Sequence, residues 1–180
     1  MRAAIVYESI YGNTHDIAEA IAAGLRARAE VSVLSVRDAD HRQLTGIDLL
    51  VVGGPTHVRG MTRGSTREQA ITDGLDKGLR TEARHGDPGV REWLTGISAT
   101  DLQTAAFDTR IKAPSIVTGG ATHGIVRRLR QHGLPLIAEP ASFYVNRDNQ
   151  LLEGEIDRAR RWGSDLGELA AKQAQRQAVT

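Results

Sequence analysis

One stretch near the start, IVYESIYGNTHDIA at 5–18, limits what this chain can fold into more than any other. Ile5, Val6 and Tyr7 form a short apolar run suited to a buried strand. Ile17, Ile21 and Leu25 recur at i, i+4 and i+8, which is the spacing of one helix face. Only the turn Ser9-Ile10-Tyr11-Gly12-Asn13-Thr14 separates the two. A helix that starts directly after a strand leaves its first N–H groups unbonded. Beside the hydroxyls of Ser9 and Thr14, those groups make a phosphate cradle that needs no Lys. Gly12 allows the tight turn such a cradle requires. The plainer reading of the same residues is a Gly-Asn turn closing on a Thr N-cap.

The rest of the chain alternates strand and helix, which predicts a doubly wound α/β domain with a parallel sheet covered on both faces. Strands are expected at 3–8, 31–36, 48–54 and 105–109, with a fifth from Leu134, interrupted at Glu139-Pro140 and resuming at SFYV. Helices are expected at 14–28, 39–44, 122–132 and 151–172, the third ended by Gly133. The long segment from Pro55 to Ala99 carries two more start signals. Ser65-x-x-Glu68 reads as a capping box for a helix with Ala70, Ile71 and Leu75 inward. Asp87-Pro88 reads as an N-cap with Pro at N1. The polar stretch between them, in the 76–90 region, reads as a loop or lid. Right-handed crossovers favour the strand order 2-1-3-4-5, with a ligand crevice at the carboxyl ends of strands one and three.

At 180 residues the chain is read as a single domain over 1–172, with a frayed tail at 173–180. It has no cysteine, which removes disulfides, thiolate nucleophiles and iron–sulfur clusters and fits a cytoplasmic location. The first residues are too short in apolar run for a signal peptide, and nothing approaches the roughly 20 apolar residues of a spanning helix. A net charge of +1 is too balanced to argue for nucleic-acid or membrane-surface partners, and neither is expected. The six histidines show no metal-ligand spacing. GGATHG lacks the Lys-Ser/Thr of a nucleoside-triphosphate loop, and no G-x-G-x-x-G follows strand one. The arginines at 127, 128 and 130 read as a solvated helix face or as a basic docking surface for an acidic redox partner.

Ligand chemistry is expected in the loops after strands one, three and four. After strand three, Gly53-Gly54-Pro55-Thr56-His57-Val58-Arg59-Gly60-Met61 lets backbone pass close to a flat ring and aim N–H groups at its edge. After strand four, Phe107-Asp108-Thr109-Arg110 would form the opposite wall, although Phe107 suits the core equally well.

Together YESIYGNTHDIAEAIA, VVGGPTHVRGM, AAFDTR and LLEGEIDRARRWG resemble the flavodoxin-like FMN family, especially its small stand-alone bacterial flavodoxin/nitric oxide synthase type proteins. The resemblance implies noncovalent FMN and either electron transfer to a redox partner protein or reduction of a small-molecule acceptor such as a quinone, NAD(P)H:quinone-reductase-like. It assigns the phosphate to Ser9, Tyr11, Gly12, Asn13 and Thr14. It assigns the isoalloxazine ring to Pro55, Thr56, His57, Val58, Arg59, Gly60 and Met61, faced by Phe107, Asp108, Thr109 and Arg110. No residue stands out as a catalytic acid or base. The rival is a flavin-free binding or regulatory module on the same fold.

Three departures set this chain apart from the family pattern. Tyr11 replaces a small hydroxyl residue in the turn. His57 stands about where a Trp often covers the ring. Arg59, Arg63, Arg110 and Lys112 replace the acidic surroundings of electron-carrier flavodoxins. A cation roughly 4 Å from the reduced ring is worth on the order of 4 kcal/mol before screening, so a less negative potential is expected.

Overall fold

The computed structural model describes residues 1–57, 60–98, 102–112 and 119–177. In chain order its elements are β1 (Arg2–Tyr7), α1 (Asn13–Leu25), β2 (Glu30–Ser35), a 3-10 turn (His41–Leu44), β3 (Leu49–His57) and β4 (Gly60–Met61). They continue with α2 (Gly64–Asp76), α3 (Val90–Trp93), a 3-10 turn (Leu94–Gly96), β5 (Gln103–Ile111), α4 (Ala121–Gln131), β6 (Ala141–Val145) and α5 (Glu155–Gln177). Five strands are parallel in the order β2-β1-β3-β5-β6, the expected 2-1-3-4-5 winding. The two-residue β4 adds an antiparallel pair to the end of β3.

The apolar runs of the central strands follow from this layering. Alternate side chains of one strand enter two different cores. Ile5, Tyr7, Leu49, Val51, Phe107 and Phe143 face α1 and α5. Ala4, Val6, Leu50, Val52 and Ala106 face the segment 90–97 and α4. Helices α1 and α5 cross closely because they meet at glycines. A Cβ on Gly24 would stand 2.0 Å from the Arg160 carbonyl oxygen, and one on Gly163 would stand 2.2 Å from that of Ile21.

Several local expectations are corrected. β3 runs on through Gly-Gly-Pro-Thr-His instead of ending at Gly54, because β5 pairs with it as far as Thr109 opposite Pro55. Helix α2 starts at Gly64 with the Thr66 hydroxyl accepting from Arg63 N–H (2.9 Å), so the Ser65/Glu68 box does not form. Glu68 accepts instead from Gly86 N–H and pairs with His85. Leu75 is 55% exposed. Gly89, not Asp87, precedes α3, and the Asp87 carboxylate accepts from Arg84 N–H at 2.8 Å. In α5, Ala159, Leu166 and Ala170 are buried, whereas Leu169 is 41% exposed. The helix continues through Gln177 and begins only at Glu155, since Leu152 N–H bonds back to Tyr144.

Helix α2 does not cover the sheet. It packs against the turn after β1, where Ala70 and Ile71 form a small third core with Ile10, Tyr11 and Ala83. Buried Glu8, the first residue after β1, fastens the same segment. Its carboxylate accepts from Val90 N–H (2.8 Å) and from the Thr62 hydroxyl, with Arg67 at 3.6 Å. Burial raises the Glu8 carboxyl above the usual range, against those hydrogen bonds.

Candidate functional site

Beyond Tyr7 the chain turns at Gly12, which has φ +93°, and enters α1 at Asn13. Gly12 N–H donates to the Ser9 hydroxyl (3.1 Å). The first helical carbonyl bond is Asp16 N–H to Gly12. The N–H groups of Asn13, Thr14 and His15 therefore have no acceptor among the described residues, as the geometry of a helix start demands. The Asn13 amide donates to the Asn149 carbonyl (2.7 Å), and the Thr14 and Thr109 hydroxyls lie 2.7 Å apart. These two contacts tie the turn to the ends of β5 and β6.

The ends of β1, β3, β5 and β6 enclose a cleft of about 270 Å³. Of the residues expected at a site, Tyr11, Asn13, Thr14, Pro55, Thr56, His57, Thr109 and Arg110 line it together. Ser9 and Gly12 stand behind the turn and shape it. Val58 and Arg59 lie outside the described residues.

Four expected residues have other surroundings. Phe107 is fully buried between Phe143 and Trp162, with ring centroids 6.2 and 6.4 Å away. It reaches the core because it lies inside the sheet, two residues before Thr109 on the same face of β5, whereas Thr109 and Arg110 stand at the strand end where the cleft opens. Gly53 is needed to admit that ring, since a Cβ there would stand 2.1 Å from Phe107, so this glycine serves the core and not a ligand. Met61 is buried against Gly124, drawn in by the β3–β4 pairing that sets Thr56 opposite it. Gly60, opposite His57 in that pair, is also off the cleft wall. Asp108 is fully buried and caps α4. Its Oδ2 accepts from Thr56 Oγ1 (3.1 Å), Thr122 N–H (3.1 Å) and Thr122 Oγ1 (3.2 Å). Thr56 in turn accepts from Ala121 N–H at 2.8 Å, which locks the end of β3 to the start of α4.

Tyr11 is turned away from any anion at the helix start. Its hydroxyl donates to the Ala70 carbonyl (2.7 Å) and its ring lies against Gly74. The unusual residue in the turn is thus the anchor for α2. The 77–89 loop is likewise tied down: Glu82 N–H donates to Ile10 and its carboxylate contacts His15 Nδ1 at 2.9 Å.

Asp73 of α2 and Lys77 just after it, with Asn149 after β6, also line the cleft. Sequence reasoning missed them because nothing local announces which side of α2 meets the turn. Asn149, at φ +57°, carried a weak signal as a residue tolerant of the left-handed region. Among the four expected cations, Arg110 lines the cleft, Arg63 and Lys112 do not, and Lys77 joins instead. Burial pulls the half-buried His57 below its ordinary value while Asp73 opposes it, so the imidazole is neutral at pH 7. The cleft thus offers free N–H donors and hydroxyls at one end and a neutral imidazole with a guanidinium at the other. That suits a ligand with an anionic tail and a polar, flat head.

Comparison with known proteins agrees with this geometry. No curated protein matches the chain. A structure of a flavodoxin from the domain Archaea superposes with a TM-score of 0.64 at 20% identity, over 95% of this chain and 99% of that one. Oxidised Flavodoxin 2 from Bacillus cereus gives 0.65 at 20% identity, over 96% and 99%. Rubredoxin oxygen:oxidoreductase from Desulfovibrio gigas gives 0.64 at 17% identity, over 96% of this chain but 37% of that one. At such identities these likenesses concern the fold. The family model for flavodoxin matches residues 5–106, more than half of the sequence, and with it the chain belongs to the flavodoxin family, whose members bind FMN noncovalently and pass electrons to redox partners.

Proposed function

We propose that the cleft at the ends of β1, β3 and β5 holds FMN and that the chain is a flavin-dependent redox protein reducing a small acceptor such as a quinone. The observation that carries this reading is the row of Asn13, Thr14 and His15 N–H groups at the start of α1, which have no acceptor among the described residues, with Asn13 and Thr14 on the cleft wall. They would receive the phosphate with Thr14. Pro55, Thr56 and His57 would lie along the ring, and Arg110 would face its far edge. When bound, FMN supplies the electron-accepting ring. The residues orient it and set the charge around it.

Lys77 and Arg110 against the single carboxylate of Asp73 leave the cleft wall net positive, which supports a less negative potential than acidic carriers have. That balance favours reduction of an acceptor over low-potential carriage, although family membership alone is equally served by transfer to a protein partner. Titration of purified apoprotein with FMN, followed by absorbance and fluorescence, tests the site. Saturable binding with quenched fluorescence is expected, and a protein indifferent to FMN would leave a flavin-free module on the same fold. Turnover of NAD(P)H with a quinone then separates reductase from carrier. Spectroelectrochemistry giving a potential as negative as that of acidic flavodoxins would overturn the reductase reading.

A further inference from the structure

Two other cavities carry arginines, and they treat them oppositely. In the cavity of about 360 Å³ between the ends of β1 and β2, each guanidinium has a carboxylate partner. Arg37 pairs with Asp87 (3.4 Å), Arg67 with Glu92 (3.4 Å) and Arg80 with Glu82 (3.5 Å). Those charges are spent within the protein. A larger groove of about 740 Å³ lies between α4 and β6. Its wall holds Arg110, Arg127 and Arg130, none of which pairs with a carboxylate among the described residues. His123, Arg127 and Arg130 stand at i, i+4 and i+7 of α4, so they share one helix face. Glu139, the one acid among the described residues of the wall, makes no ion pair with them.

Arg110 is held in place from two sides. It donates to the Gly119 carbonyl (2.8 Å) and lies over the Tyr144 ring at 5.6 Å, while its buried Nε has no partner. The whole chain carries a net charge of only +1, so this is a local concentration. Three guanidinium groups with no carboxylate partner among the described residues, around one concavity, make a site for a multiply charged anion, because a guanidinium can give two parallel N–H bonds to phosphate oxygens.

We propose that this groove binds the diphosphate of a nucleotide, with the base against Val126 and Pro140. Its volume falls in the range of small-molecule sites, and its arginines line a concavity and not a broad face. The proposal does not rest on the FMN assignment. The two cavities share Arg110 as a common wall.

The test is calorimetric titration with ADP and with inorganic pyrophosphate at low salt, with and without saturating FMN. Wild type is compared with Arg127→Glu/Arg130→Glu, both exposed positions on α4. Saturable binding is expected, weakened about tenfold or more for each guanidinium reversed and falling with added salt, while FMN affinity is unchanged. Three results would overturn it: no saturable binding up to about 1 mM, equal affinity in the double variant, or binding of poly-glutamate in place of the nucleotide. Unfolding curves for both proteins exclude a folding defect as the cause.

Discussion

Tyr11→Phe separates two roles that a residue in a phosphate turn can have. The Tyr11 hydroxyl donates to the Ala70 carbonyl at 2.7 Å. Burial, aided by Asp73, raises its pKa, so it is a neutral donor at any working pH. Ala70 lies inside α2 and keeps the helical bond from the residue four positions on, so the substitution orphans no acceptor. The ring stays packed on Gly74. The loss is therefore one neutral hydrogen bond, about 1 kcal/mol of stability. FMN affinity should change by less than about twofold, because a hydroxyl turned to α2 makes no phosphate contact. Had the hydroxyl bonded the phosphate, a charged partner would be worth about 1.5–3 kcal/mol, and affinity would fall roughly tenfold to over a hundredfold. Urea unfolding and FMN titration of the same preparation give both numbers. Unchanged stability with a tenfold weaker FMN would refute the assignment of Tyr11 as an anchor.

Other perturbations test the packing and the site. Gly163→Ala and Gly167→Ala are the same change on one helix, yet the first puts a Cβ 2.2 Å from a backbone oxygen and the second 3.3 Å from the flexible Arg28 side chain. Urea midpoints should fall by the equivalent of about 1–3 kcal/mol for the first and rise by up to about 1 kcal/mol for the second. Asp108→Ala removes the acceptor of three hydrogen bonds at the start of α4 and should cost about 1–3 kcal/mol, with amide exchange speeding first in Ala121–Gln131. The pKa of His57 is lower in the folded protein than in the unfolded chain, so the unfolded state takes the proton first as pH falls. Stability should drop as pH passes below about 6.5. His57→Gln should flatten that slope in urea midpoints measured between pH 7.5 and 5, and an unchanged slope would show that His57 is not the group responsible.

The strand–turn–helix stretch and the unbroken apolar run at 49–52 were legible because they follow local rules. A strand buried on both faces must be apolar throughout, and a helix start must leave N–H groups open, whatever surrounds them. The sequence by itself thus determined the doubly wound sheet, its winding order, and the gathering of Asn13, Thr14, Thr56, His57, Thr109 and Arg110 at one edge. Tertiary structure alone decided where along each strand the core ends and the cleft begins, leaving Phe107 and Met61 inside and Thr109 and Arg110 at the cleft. It also decided that α2 packs on the turn through Tyr11, bringing Asp73 and Lys77 to the wall. Those outcomes depend on contacts between segments tens of residues apart, where neither periodicity nor turn chemistry acts. The arginines of α4 show the same division: their shared face follows from their spacing, but only the approach of Arg110 and β6 makes that face a groove.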